Sequence, residues 1–187
     1  MLYIVSGLPR SGTSMLMKML AAGGMDILTD DRREADDDNP KGYFEYEPVM
    51  NLAQDASWVE DWDQKVIKVI SHLLPYLPSH RPYKVIFVLR PLQEILISQQ
   101  RMLQRKGQVS SYPRQDRMYA KFSNHLFDIR LWLARQAHFD SLFVNYPDIV
   151  ASPLDWAARI SEFVGGDCDL QHMAETVDPR LYRNRKE

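Results

Sequence analysis

Cysteine is almost missing from this sequence: Cys168 is the only one in 187 residues. A single thiol closes no intramolecular disulfide and builds no multi-cysteine zinc site, so a disulfide scaffold and a zinc finger are both excluded. A reducing, cytoplasmic setting fits that usage best. Long hydrophobic runs are lacking too. Nothing approaches the ~18 apolar residues of a membrane helix, and the opening run, residues 1–5, has neither the charged flank nor the length of a signal peptide. No membrane partner is therefore expected. There is no excess of charge of either sign, with 23 Lys and Arg against 25 Asp and Glu and a net charge of −2. That balance argues against nucleic acid as a partner. Spaced metal ligands are missing as well: the run Asp36-Asp37-Asp38 has no His or Cys set beside it and reads as a solvated loop, so no metal site is expected.

What is present is an ordinary globular composition, 45% hydrophobic and 26% charged. The length suits one domain over residues 1–187. The near-neutral total hides an uneven distribution. Residues 26–48 carry nine acids against three bases, while bases gather in 101–121 and in the tail at Arg180, Arg183, Arg185 and Lys186. Two basic regions on a mildly acidic chain suit a small anionic ligand.

Short β-rich runs alternate with helical patterns along the chain. Residues 2–5 read as a strand, and 13–22 as a helix that Gly23-Gly24 closes. Residues 25–28 and 66–70 read as further strands, and 49–62 as a helix. The run Val85-Ile86-Phe87-Val88-Leu89 has the continuous apolar character of a central parallel strand buried on both faces. Pro91 then opens a helix reaching residue 104. Residues 115–139 form the longest helical pattern, with Met118, Phe122, Leu126, Ile129 and Leu133 on one stripe. A last strand at 142–144 precedes a helix that Ser152 and Pro153 open and Gly165-Gly166 close. The alternation implies an α/β fold, an open, mostly parallel sheet flanked by helices.

The sharpest motif is Gly7-Leu8-Pro9-Arg10-Ser11-Gly12-Thr13-Ser14, between the first strand and the first helix. Such a turn aims backbone N–H groups and a helix N-terminus at one point and so makes an anion site. It departs from the nucleoside-triphosphate loop G-x-x-x-x-G-K-[ST], because Thr13 stands where the lysine belongs and the basic charge sits at Arg10. No apolar strand ends in an aspartate that would hold Mg²⁺; the best strand ends in Arg90. An arginine at a strand's carboxyl end and Ser98 two turns into the next helix can converge on one phosphate.

Pro9-Arg10-Ser11-Gly12-Thr13-Ser14 resembles the 5′-phosphosulfate loop of the sulfotransferases that use 3′-phosphoadenosine 5′-phosphosulfate (PAPS). Residues 85–91 with Ser98 resemble that family's 3′-phosphate site, a strand ending in Arg with Ser eight residues on. The arginine at position 10 is similar to the tyrosylprotein branch and bacterial members; the cytosolic branch usually has lysine there. Residues 39–45, 67–75 and 143–149 are similar to segments of bacterial sulfotransferase-like proteins. The glycine-rich Arg-Lys-Gly segment of cytosolic members is not found; either Arg180, Arg183, Arg185 or Lys186 substitutes for it or the tail is a frayed basic end, the latter being the reading preferred.

The resemblance implies a P-loop NTPase-like sulfotransferase fold. It implies transfer of a sulfuryl group from PAPS to a hydroxyl or amine of an acceptor, small-molecule or otherwise unidentified, with adenosine 3′,5′-bisphosphate (PAP) as product. It implies cofactor contacts from Arg10, Ser11, Gly12, Thr13, Ser14, Arg90 and Ser98, with Arg10 also catalytic and Lys68 within reach of the bridging oxygen. Two residues compete for the general base. His72 follows the third strand, where the cytosolic branch has a histidine, at a longer spacing from Lys68; Glu45 follows Asn-Pro-Lys-Gly, and other branches use a glutamate. Two alternatives stay open: a P-loop phosphotransferase of a small molecule, and a non-catalytic module that binds PAPS or PAP. The short chain leaves an acceptor site that is small and loop-built or completed by another subunit of a homo-oligomer.

Overall fold

The computed structural model describes residues 1–30, 42–105, 107 and 115–183. The acidic run 36–38, the turn residues 39–41, Arg185 and Lys186 lie outside them.

Five strands form one sheet in the order β2-β3-β1-β4-β5: β1 Leu2–Gly7, β2 Asp26–Ile27, β3 Lys65–Lys68, β4 Tyr83–Leu89 and β5 Phe139–Asn145. Every pairing is parallel. The fold is therefore the α/β sheet flanked by helices that the alternation of patterns implies. The central strands are apolar on both faces because each face has its own core. Leu2 and Ile4 of β1 join Val85 and Phe87 of β4 on one side, while Val5, Ile86 and Val88 point to the other. The first face is covered by α3 (Gln115–Leu133), through Ile129 and Leu133, and by short 3₁₀ segments. The second is covered by α1 (Thr13–Ala22), α5 (Pro153–Val164) and α6 (Leu170–Glu175). Helix α2 (Leu92–Arg105) follows β4, and the short α4 (Tyr146–Ala151) follows β5.

Helix α1 ends where its glycine pair predicts, with Gly23 N–H donating to Met19 O at 2.9 Å. Other boundaries move, for local reasons. The pattern at 49–62 suggests one helix but forms two 3₁₀ segments, Glu47–Asn51 and Ser57–Asp61. Between them the Asp55 carboxylate accepts from both Ser57 N (2.9 Å) and Ser57 Oγ (2.6 Å). That local turn competes with the helical ladder. The long pattern 115–139 stops as a helix at Leu133, because Phe139 is drawn into β5, where its ring packs at a tilt against Tyr83 at 5.2 Å and Trp132 at 5.3 Å. Ser152 holds the N-cap position of α5, yet its hydroxyl makes no capping bond.

This topology fixes where a ligand can sit. From β1 the chain passes to β2 and β3 on one side; from β4 it passes to β5 on the other. The strand order therefore reverses between β1 and β4, and the carboxyl ends of those two strands flank the crevice where open α/β sheets bind ligands. The Gly7–Ser14 turn leaves β1 at that edge, and Arg90 leaves β4 beside it. Among the described residues no helix is long and apolar enough to cross a membrane.

Candidate functional site

The turn after β1 is shaped by two glycines with little alternative. Gly7 has φ +152, and a Cβ there would lie 2.5 Å from Ser11 Oγ and 2.7 Å from the Val88 carbonyl of β4. Gly12 has φ +111, and a Cβ there would run into the ring of Tyr146, 2.9 Å from Cε2 and closer still to Cδ2. Arg10 itself takes a left-handed φ of +71, and its side chain reaches Ser98 of α2. Ser11 N–H closes the turn on Leu8 O at 3.1 Å.

Helix α1 then starts with glycine as N-cap and no acid in its first turn. The first four N–H groups of a helix find no partner within it, and Gly12 as N-cap has no side chain to cap them, so the helix end favours a negative charge. Ser11 is fully buried, and its Oγ has no hydrogen-bond partner among the described residues. An unpartnered buried hydroxyl costs stability, and an anionic ligand would satisfy it.

The structure brings Arg10, Arg90 and Ser98 together. Arg10 Nε donates to Ser98 Oγ at 3.0 Å, and Arg90 Nη1 donates to the Arg10 carbonyl at 3.2 Å. The turn after β1 is thereby tied to both β4 and α2. The remaining terminal nitrogen, Arg90 Nη2, is buried without a partner among the described residues. Ser98 is 3% exposed, on the buried side of α2 beside Ile95.

Lys68, at the carboxyl end of β3, is 9% exposed. It turns inward, not toward solvent: its Nζ donates to the Tyr43 carbonyl and lies 3.7 Å from Glu45 Oε1. Ser14 Oγ donates to the same Tyr43 carbonyl at 3.4 Å. The segment carrying Glu45 is thus docked on α1 and β3 together. Its backbone is pinned from the other side, where Glu45 O accepts from Thr29 Oγ1 at 3.0 Å and from Asp30 N at 3.1 Å.

His72 is placed differently. It is exposed on the 3₁₀ segment Ser71–Tyr76, and its electrostatic neighbour is His125 of α3. His125 Nε2 is 2.8 Å from the buried Ser71 Oγ. Burial first, and then the His72 charge, pull the His125 pKa below its ordinary value. The contacts that join Glu45 to the turn have no counterpart at His72 among the described residues.

Three further residues complete the arrangement, and the motif spacing did not reveal them. Glu94, in the first turn of α2, accepts from Arg90 Nε at 3.0 Å. Tyr146 and Tyr182 lay their rings beside the Arg90 guanidinium, at 4.7 and 5.2 Å from Cζ. The one local signal for Glu94 is its spacing of four from Arg90, the distance at which an acid can reach back to a strand-end base. Tyr146 opens α4 just past the end of β5, next to β4 in the sheet, and its only signals were that position and its place in the 143–149 segment similar to bacterial sulfotransferase-like proteins. Tyr182, at the far end of the described chain, had none. Of the basic tail, Arg180 pairs with Asp178 at 2.9 Å, and the Arg183 carbonyl accepts from Arg101 Nη1 at 3.4 Å.

A glycine-shaped turn, a helix start with glycine as N-cap and two arginines thus stand together at the switch point, an arrangement whose charge suits an anionic group. The sulfotransferase domain family matches residues 3–187. Twenty-five chains of solved structures also match. One of them is the sulfotransferase domain from the curacin biosynthetic pathway, which superposes with a TM-score of 0.56 at 13% identity, covering 94% of this chain and 77% of that one. At that identity the likeness is one of fold. A search of curated proteins gave no match. The family match runs from β1 to the end of the chain and takes in the Gly7–Ser14 turn, Lys68, Arg90 and Ser98, and on that span this chain belongs to the sulfotransferase family.

Proposed function

We propose that the chain transfers a sulfuryl group from PAPS to a hydroxyl or amine of a small acceptor. The observation that carries this reading is the joining of the two predicted phosphate sites: Arg10 of the turn bonds Ser98, and Arg90 bonds the Arg10 backbone. A donor with phosphates at both the 5′ and 3′ positions suits such a paired site. The orphaned Ser11 Oγ and Arg90 Nη2 are the kind of buried donors that those phosphates would satisfy. PAPS supplies an activated sulfuryl group on a phosphate leaving group.

The chain's own residues do the rest. Arg10, Thr13 and the N–H groups of the turn are fixed donors for charge that grows on the leaving phosphate oxygen, which preorganised dipoles stabilise without reorganising. Lys68 holds the Glu45 segment at the site's edge. Glu45 is the favoured base because its carboxylate stands on that docked segment, half-buried, within 3.7 Å of Lys68. Glu45→Gln is expected to lower turnover about 10²-fold, in line with general-base catalysis. His72→Ala is expected to leave turnover within about threefold, since the contacts that dock the Glu45 segment on α1 and β3 do not reach His72 among the described residues. Steady-state assays with a model acceptor compare the two, and the reverse order of losses would move the base to His72. A cytoplasmic, non-membrane enzyme with no nucleic-acid partner fits the composition.

Thermal stability with PAP, with ATP–Mg²⁺ and without ligand tests the donor. A ligand at 100 times its dissociation constant adds about 2.7 kcal/mol, a rise of roughly 5–10 °C in Tm for a chain of this size. PAP is expected to give it. A rise with ATP–Mg²⁺ and none with PAP would overturn the reading in favour of phosphoryl transfer.

A further inference from the structure

Glu94 is a buried carboxylate, 4% exposed, beside a site built for anions. By charge alone it opposes ligand binding, so its place there calls for another physical account. Both of its oxygens are committed. Oε2 accepts from Arg90 Nε at 3.0 Å, and Oε1 accepts from the Tyr182 hydroxyl at 2.8 Å. Its position in the first turn of α2 suits the charge, because the helix N-terminus favours an anion. Burial, followed by the bond to Glu94, pushes the Tyr182 pKa up to about 12, so the phenol stays a donor at neutral pH.

The effect falls on Arg90. A guanidinium has five N–H donors in a rigid fork and two flat faces. Here Nε is held by Glu94 and Nη1 by the Arg10 carbonyl. The rings of Tyr146 and Tyr182 meet at 88° with centroids 5.1 Å apart and crowd the guanidinium. Nη2 is the part left unsatisfied among the described residues.

Resting on the sulfotransferase reading of this site, we infer that Glu94 is a positioning residue which, latched to Tyr182 of the C-terminal segment, locks Arg90 with its Nη2 edge offered to the 3′-phosphate of the donor. The latch sets specificity for a nucleotide bearing that phosphate. It ties this specificity to a residue 88 positions away in the chain.

Titration calorimetry of the full chain with PAP and with AMP, which lacks the 3′-phosphate, tests this. Glu94→Ala is expected to weaken PAP about tenfold or more, with AMP changed less than about twofold, the size of losing a charge-assisted bond. Glu94→Gln keeps one acceptor for Nε and is expected to stay within about threefold of wild type for PAP. Tyr182→Phe removes only the hydroxyl; it guards against misfolding of Glu94→Ala and is expected to weaken PAP about threefold, again sparing AMP. In turnover, the same variants raise KM for the donor and leave kcat nearly unchanged. Equal losses for PAP and AMP, or no loss for either, would overturn the positioning role. A wild-type chain with no preference for PAP over AMP is a distinct result, which removes the donor reading and this inference together.

Discussion

Arg10→Ala is expected to lower sulfuryl-transfer turnover by roughly 10²–10³-fold, the loss seen when one preorganised donor to a developing oxyanion is removed. The substitution isolates the side chain well. Arg10 stands at φ +71, and alanine at that position bears a similar backbone strain, so the fold is not relieved or burdened by the change. The Arg10 carbonyl, which accepts from Arg90, remains in place. What disappears is the guanidinium and its 3.0 Å bond to Ser98. Arg10→Lys restores the charge without the planar Nε donor, and an intermediate loss of about tenfold is expected, since lysine offers a point charge where arginine offers a fixed fork. Rapid-quench or steady-state assays at saturating donor measure the loss in kcat, and calorimetry with PAP separates it from weaker binding. If turnover falls no more than PAP affinity does, Arg10 acts in ground-state binding alone.

How much of this arrangement was legible beforehand depends on how local its causes are. The turn at 7–14, helix α1 and strand β4 were readable because their signals are short-range: glycines at fixed offsets, a closing glycine pair and an unbroken β-branched run. Arg90 and Ser98 were readable as a strand-end arginine with a serine at a set spacing. The two 3₁₀ segments at 47–61 were not, because a single Asp55–Ser57 turn outweighs an apolar periodicity that otherwise reads as a helix. The inward turn of Lys68 toward Tyr43 and Glu45 depends on which face of β3 the loop crosses. The Glu94–Tyr182 bond is further from reach: it joins residues 88 apart, and only the packing of the C-terminal segment against α2 and α4 brings them together. The turn and its arginines are thus encoded locally, while the orientation of Arg90 is encoded by the fold.

Gly12→Ala tests that orientation from the opposite side, without touching an arginine. A Cβ at Gly12 would come within 2.9 Å of Tyr146 Cε2 and closer still to Cδ2, and φ there is +111. Two costs follow. The backbone strain of an L-residue at that φ is about 1–3 kcal/mol, and the overpacking against the ring is about 1–3 kcal/mol. Tyr146 has little room to yield, since its ring is held edge-to-face by Tyr182 at 5.1 Å and lies 4.7 Å from Arg90. The expected result is a drop in Tm of roughly 5–15 °C. PAP affinity is expected to fall by about 10²-fold, since the ring can move only by displacing Arg90 or the turn itself. Gly24→Ala is the matched control. Gly24 also has a positive φ, +92, but a Cβ there meets nothing within 4 Å, so it bears the strain alone. The difference in Tm between the two variants therefore measures the steric pressure of Tyr146 on the turn. Equal drops in Tm, with PAP affinity preserved in both, would mean that Tyr146 is free to swing aside and that the packing around Arg90 does not set its orientation.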